Sequence, residues 1–254
     1  MIGTLTRLDG IARPVDVWLP PGYADQLKRR YPVIYMHDGQ NLFDPKLSPT
    51  GIAWEVDAAL GKLGRAAIVV AIWSDSRRRP EYMPQCAVTT PAQAQAFVAA
   101  HGDAPFSDRY LHFITAELKP VIDAAYRTRP ERAQTLVMGA SMGGLISLYA
   151  VCAYPEVFGG AACLSTHWVI GGNALVDALA DRLPPPGHHR LYFDYGTESL
   201  DAGYEPFQQR MDARLRAAGY RVGADWLTRK FPGADHCERA WRDRVAIPLG
   251  FLLE

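Results

Sequence analysis

The sequence predicts an α/β fold, with a mostly parallel central sheet and helices on both faces. Three observations carry that expectation. Short apolar runs of strand length alternate with stretches of helical periodicity, the β-α-β order of a parallel sheet. One apolar run, residues 136–138, leads directly into Gly139-Ala140-Ser141-Met142-Gly143, and an amphipathic stretch over residues 144–154 leads out of it. That is strand, tight turn and helix. Finally, 254 residues with 48% hydrophobic content can bury one large core, which suits a single α/β domain over residues 1–254.

Residues 14–23 alternate like a strand and break at a Pro-Pro-Gly turn, the simple reading being a first antiparallel strand. Residues 31–36 form a short apolar run that ends in the polar loop His37-Asp38-Gly39-Gln40-Asn41. A helix is predicted over 52–63 and a buried strand over 66–73. A long polar loop, 74–90, carries three arginines and two prolines, and a helix over 92–99 follows. Ser107 and Asp108 cap a helix running to Tyr126, which Pro120 kinks or divides. After the strand-turn-helix come a strand over 160–164, a short helix over 175–183 ended by three prolines, and a strand over 190–195. A helix over 205–218, a last strand over 220–227 and a closing helix over 238–253 complete the chain. No internal repeat or linker divides it.

Lys+Arg and Asp+Glu both number 27, so no global field recruits nucleic acid, and no apolar run is long enough to span a membrane. The expected partner is a small molecule. The first residues lack a charged segment followed by an apolar one, which reads as cytoplasmic, or as secreted or periplasmic if a leader has been removed. Cys152 and Cys163 sit in apolar patterns and read as buried free thiols, while Cys86 and Cys237, in loops, are the one pair whose bridging is open.

The pattern Gly139-Ala140-Ser141-Met142-Gly143 fits a nucleophile elbow. The serine occupies a strained turn at the top of a parallel sheet, and the glycines let strand and helix pass closely. A serine nucleophile needs a base. In chain order the base follows the last strand, which selects His236 in Gly233-Ala234-Asp235-His236. His188 and His189 precede a strand, at the wrong end of the sheet for catalysis, and read as solvated. His37 ends a strand at the catalytic edge and reads as pocket-shaping. The acid that orients His236 should follow the strand over 190–195, where the loop offers Asp201, preferred for its short side chain and deeper position, and Glu198 as the alternative. Asp194, inside the strand, reads as structural. An oxyanion hole takes two backbone N–H donors, one from Met142 after the serine and one from the early loop, with Gln40 the best choice.

Tyr35-Met36-His37-Asp38-Gly39-Gln40-Asn41-Leu42-Phe43-Asp44, Gly139-Ala140-Ser141-Met142-Gly143-Gly144, Gly196-Thr197-Glu198-Ser199-Leu200-Asp201 and Gly233-Ala234-Asp235-His236 together resemble an esterase family of α/β-hydrolases. That family includes enterochelin (siderophore) esterase-like proteins, feruloyl and acetyl-xylan esterases, S-formylglutathione hydrolases and the mycolyl-transferring antigens. The resemblance spans nearly the whole chain. It implies the α/β-hydrolase fold, Ser141 as nucleophile, His236 as base and the Gln40 and Met142 amides as oxyanion donors. It departs at the acid: many relatives carry an aspartate three residues after the glycine of a G-T-x-D motif, where this chain has Ser199. Some siderophore esterases resemble a dyad with no well-placed acid.

For the substrate pocket, Trp54, Trp73, His167 and Trp168 lie near catalytic-side loops, where flat aromatic walls suit an aryl or sugar-bearing ester. Core packing is the plainer alternative, above all for Trp54. Arg79, in the run Arg77-Arg78-Arg79, is a candidate to hold a carboxylate or catecholate, against local pairing of the run with Asp75 and Glu81. The expected function is a serine carboxylic-ester hydrolase acting through an acyl-enzyme on an aryl, sugar or siderophore ester, with no metal or organic cofactor. Acyl transfer by the same triad and a catalytically silent binding protein are the alternatives.

Overall fold

A computed structural model describes residues 1–254. Eight strands form one sheet: β1 (Thr4–Arg7), β2 (Val15–Leu19), β3 (Val33–His37), β4 (Ile68–Ile72), β5 (Thr135–Ala140), β6 (Gly160–Leu164), β7 (Arg190–Gly196) and β8 (Trp226–Phe231). Their spatial order is β1-β2-β4-β3-β5-β6-β7-β8, antiparallel at β1/β2 and β2/β4 and parallel from β4 to β8. Ten helices accompany it: α1 (Val56–Leu63), α2 (Arg78–Tyr82), α3 (Pro91–His101), α4 (Ser107–His112), α5 (Lys119–Ala125), α6 (Met142–Ala153), α7 (Gly172–Ala180), α8 (Glu205–Ala217), α9 (Glu238–Arg244) and α10 (Ala246–Leu252).

The two-residue period of the strands divides the apolar side chains between two cores. Val33 and Tyr35 of β3, with Ile68, Val70 and Ile72 of β4, face the larger core, which Leu145, Ile146 and Leu148 of α6 complete. Ile34 and Met36, with Val69 and Ala71, face the other, closed by Leu60 of α1 and Leu249 of α10. With both faces covered, the central strands are apolar at nearly every position. That is why they read as uninterrupted runs in the sequence.

Four expectations are corrected. The last strand is Trp226–Phe231 rather than 220–227, since Gly223 takes a φ of 81° and turns the chain before pairing with β7 begins. A further strand, β1, adds to the antiparallel edge. The loop over 74–90 contains the single-turn helix α2. The closing helix is two helices, because Pro248 cannot donate to the carbonyl of Arg244 and its ring crowds that turn. Pro120 acts similarly but more gently. A π-helical stretch, Phe113–Leu118, separates α4 from α5, with the Lys119 amide reaching back to the Ile114 carbonyl.

Candidate active site

The site lies at the carboxyl ends of β3, β5, β6 and β7, where loops from neighbouring parallel strands converge. Ser141 follows β5 with φ 59° and ψ −122°, a left-handed backbone that costs a non-glycine residue on the order of 1–3 kcal/mol. Neighbouring strand ends hold it there: its amide donates to the Leu164 carbonyl at 2.8 Å, and its carbonyl accepts from the His167 amide at 3.2 Å. Both flanking glycines sit in tight contact, and at Gly139 the contact requires glycine. A Cβ on Gly139 would stand 2.7 Å from the Gly143 backbone, and one on Gly143 would press on Asp38 Oδ2 at 3.3 Å.

The structure brings Ser141, His236 and Asp201 into one line. His236 Nε2 is 3.0 Å from Ser141 Oγ, and His236 Nδ1 is 2.5 Å from Asp201 Oδ1. Burial alone would raise the Asp201 carboxyl. Hydrogen bonds from His236, Ser165 and the Gly196 amide outweigh it and hold the group below its ordinary value. An ionised Asp201 only accepts, so Nδ1 carries the imidazole proton and Nε2 is left to accept from the serine hydroxyl. Glu198, by contrast, is exposed, and its amide donates to the Ala234 carbonyl at 3.1 Å.

Sequence reasoning missed the cradle around Asp201. Ser165, fully buried after β6 with φ 41°, donates to Asp201 Oδ2 at 2.6 Å. It accepts from Trp241 Nε1 at 3.0 Å and Arg244 Nη2 at 2.8 Å. Arg244 is itself paired with Asp194 at 2.9 Å, giving Asp194 the structural place expected of it. Trp241 also sets its indole edge-on to His236, with ring centroids 5.0 Å apart. The only sequence signal was position, a serine one residue past a buried strand in the same loop layer as the elbow.

On the other side of Ser141, Asp38 (φ 58°) turns the chain into the single turn Gly39–Asn41. Gly39 packs so closely on β4 that a Cβ would meet the Ala71 carbonyl carbon at 2.6 Å. The Gln40 side chain is tied to Ser74, donating to its Oγ at 2.8 Å and accepting from its amide at 3.2 Å. The backbone amides of Gln40 and Met142 donate to no protein group. Arg78 braces this loop through two hydrogen bonds to Asp38, 2.6 and 2.7 Å, and a third to the Ala140 carbonyl at 3.3 Å. Burial would raise the Asp38 carboxyl, but the Arg78 charge and hydrogen bonds pull it below its ordinary value.

The remaining expected residues divide. A cleft of about 340 Å³ contains Ser141 and His236; Trp54 and Trp241 touch its edge, but both are buried and packed in the smaller core, the plainer reading given for Trp54. Trp73 is outside it: its Nε1 donates to Asp16 at 2.7 Å and the Arg7 guanidinium stacks 4.5 Å from the ring. Trp168 is core, donating to Gln208 at 3.1 Å and stacking on Phe193. Arg79 is exposed and outside the cleft, and it is Arg78 that enters it. His167 contacts Tyr204 Oη at 2.6 Å, and its ring lies 6.4 Å from that of His236. Burial and the neighbouring His236 lower its pKa to about 4. His37 is fully buried behind the loop against Tyr110 Oη at 2.7 Å, and burial lowers it to about 3. His188 is exposed as expected, but His189 is buried, with Nε2 donating to the Pro155 carbonyl at 2.8 Å. All four cysteines are free thiols, so Cys86 and Cys237 are not bridged. No helix is long and apolar enough to cross a membrane.

An eight-stranded, mostly parallel sheet with a strained serine at the end of its fifth strand defines an α/β-hydrolase fold. The family model described as "Putative esterase" matches residues 10–246, and the chain belongs to that family. Its class of activity is carboxylic ester hydrolysis. Among curated proteins, YbbA of Bacillus subtilis (strain 168) is 25% identical over 199 residues, 78% of this chain and 73% of the relative. The siderophore triacetylfusarinine C esterase of Aspergillus fumigatus (strain ATCC MYA-4609 / CBS 101355 / FGSC A1100 / Af293) is 32% identical over 134 residues, 50% of this chain and 41% of the relative. Among solved structures, an IroE-like serine hydrolase from Shewanella oneidensis superposes with a TM-score of 0.71 at 20% identity. That match covers 98% of this chain and 78% of the other.

Proposed function

We propose that the chain hydrolyses a small-molecule ester through an acyl-Ser141 intermediate, with His236 as base, Asp201 as the orienting acid and the Gln40 and Met142 amides as the oxyanion hole. The observation that carries this reading is the continuous line from Asp201 Oδ1 to His236 Nδ1, 2.5 Å, and from His236 Nε2 to Ser141 Oγ, 3.0 Å. His236 takes the serine proton as Oγ adds to the ester carbonyl. The resulting oxyanion accepts from the two amides, and the alcohol leaves with the proton from His236. Water then repeats the sequence, releasing the acid and restoring Ser141. Each oxyanion donor is worth about 3–4 kcal/mol at such a site.

For the substrate we favour an ester of the siderophore type. The name of the 32%-identical relative supports that choice. Side-by-side assay of siderophore, feruloyl, acetylated-sugar and p-nitrophenyl esters tests the preference, with the siderophore ester expected to give the highest kcat/KM. Intact-mass analysis of quenched turnover tests the mechanism, since the acyl group should appear on Ser141. Turnover with no trappable acyl-enzyme and no burst would count against it.

A further inference from the structure

At the opposite end of the sheet from Ser141, a cavity of about 540 Å³ opens beneath the amino ends of the central strands. Pro32, Ala66, Gln134 and Gly159, each within two residues of the start of a parallel strand, line its floor. Around it stand five arginines, Arg29, Arg30, Arg65, Arg129 and Arg190. They come from four separate parts of the chain, so the cluster is a product of folding and not of one basic run. We propose that this cavity binds a small anion carrying several adjacent phosphate groups.

The charge balance supports a ligand. Two carboxylates answer the five guanidiniums, Glu131 at 3.3 Å from Arg129 and Glu254 at 3.2 Å from Arg190. Both pairs are solvent-exposed and weak. The carboxyl end of α1, next to Arg65, adds about half a negative charge. With the carboxyl end of α10 at Leu252 adding a similar half charge, roughly two positive charges remain unanswered in a chain whose formal net charge is zero. The arginines are also partly fixed. Arg30 donates to the Thr128 carbonyl at 3.1 Å and Arg190 to the Phe251 carbonyl at 2.8 Å, while Arg29 lies 5.0 Å over the Tyr31 ring. Carbonyls and a ring orient a guanidinium without cancelling its charge. The remaining N–H groups suit bidentate recognition of phosphate oxygens. The volume falls within the range of small-molecule sites.

The test is calorimetric titration of the full chain with inorganic tripolyphosphate, ATP and citrate at one fixed ionic strength. Tripolyphosphate should bind once per chain, and more tightly than citrate by about tenfold or more. ATP binding more tightly than tripolyphosphate would mark a nucleotide as the source, and equal binding a free phosphate chain. Arg65 has no side-chain partner and Arg129 touches only Glu131, so the double variant Arg65→Gln/Arg129→Gln should fold normally and keep its esterase activity. It should lose tripolyphosphate affinity by about tenfold or more. Removing two charges elsewhere, in Arg77→Gln/Arg109→Gln, should change that affinity by less than about threefold. Absence of saturable binding, equal affinity for citrate, or equal losses in both double variants would overturn the proposal.

Discussion

Two buried carboxylates flank Ser141, and they are neutralised differently. On the oxyanion side, Asp38 is gripped by both arms of Arg78 at 2.6 and 2.7 Å. On the acid–base side, Asp201 is held by the Ser165 hydroxyl, the Gly196 amide and His236, all uncharged donors when the imidazole is neutral. The nearest guanidinium, Arg244, stands 4.0 Å away and is already paired with Asp194. Asp38 thus spends its charge on Arg78 and holds a loop still. In the proposed mechanism Asp201 keeps its charge available for the imidazolium that forms when His236 takes a proton. On that proposal, the carboxylate that answers the imidazolium is fixed by neutral hydrogen bonds, and the one that braces the loop is fixed by an ion pair.

The comparison can be broken most severely on the acid–base side. Ser141→Ala should lower kcat by about 10⁶ while leaving the thermal midpoint within a few degrees of wild type. Asp201→Asn should cost about 10⁴ in kcat, because the amide favours the wrong His236 tautomer. Glu198→Gln, altering an exposed side chain, should change kcat less than twofold. Equal losses at the two positions would remove the distinction between them. Ser165→Ala deletes the hydrogen bond to the Asp201 carboxylate, worth about 1.5–3 kcal/mol, together with those accepted from Trp241 and Arg244, so kcat should fall about 10- to 100-fold with KM little changed.

On the oxyanion side the same logic predicts a loss of stability. Arg78→Met strands Asp38 as an unpaired buried charge and should destabilise the fold by about 3–5 kcal/mol in urea unfolding. Adding Asp38→Asn should recover most of that loss. Failure of the second change to rescue would mean that Arg78 acts through contacts other than Asp38.

The fold, the Ser141 elbow and His236 were legible because each rests on local pattern or chain order, whereas chain order left Asp201 and Glu198 as alternatives that only side-chain geometry separates. Gly139 and Gly143 announce the elbow, and the proposed base and acid follow the strands that this fold requires. What escaped depended on which way a side chain turns. Of three consecutive arginines, the single turn of α2 sends Arg78 inward and leaves Arg79 in solvent, and no periodicity distinguishes them. Trp168 looked like a pocket wall, yet the turn after β6 rotates it into the core. The edge strand β8, Trp-Leu-Thr-Arg-Lys-Phe, carries exposed Arg229 and Lys230, so its charge hid it beside a more apolar neighbour. Ser165 belongs to no motif, and its place follows from the turns after β6 and β7 meeting helix α9.

A further effect, read in stability against pH, concerns the histidines. Unfolded His37 takes a proton near pH 6.5, whereas the folded residue stays neutral down to about 3. The unfolded state therefore binds more protons in that window. The stability from this group is complete above about pH 6.5 and declines as the pH falls toward 3. His37→Gln should reduce the slope of unfolding free energy between pH 6 and 5 by up to about 1.4 kcal/mol per pH unit. With His37 and His167 both uncharged above about pH 5, His37→Gln and His167→Gln should leave the pH dependence of kcat/KM above that pH unchanged.

The most direct test of the account is covalent labelling with a fluorophosphonate, followed by peptide mapping, in the wild type, Asp201→Asn and Glu198→Gln. The account predicts one label per chain, on Ser141, at a rate that falls steeply in Asp201→Asn and hardly changes in Glu198→Gln. A label on any other serine, or labelling of Ser141 at the same rate in all three proteins, would contradict it.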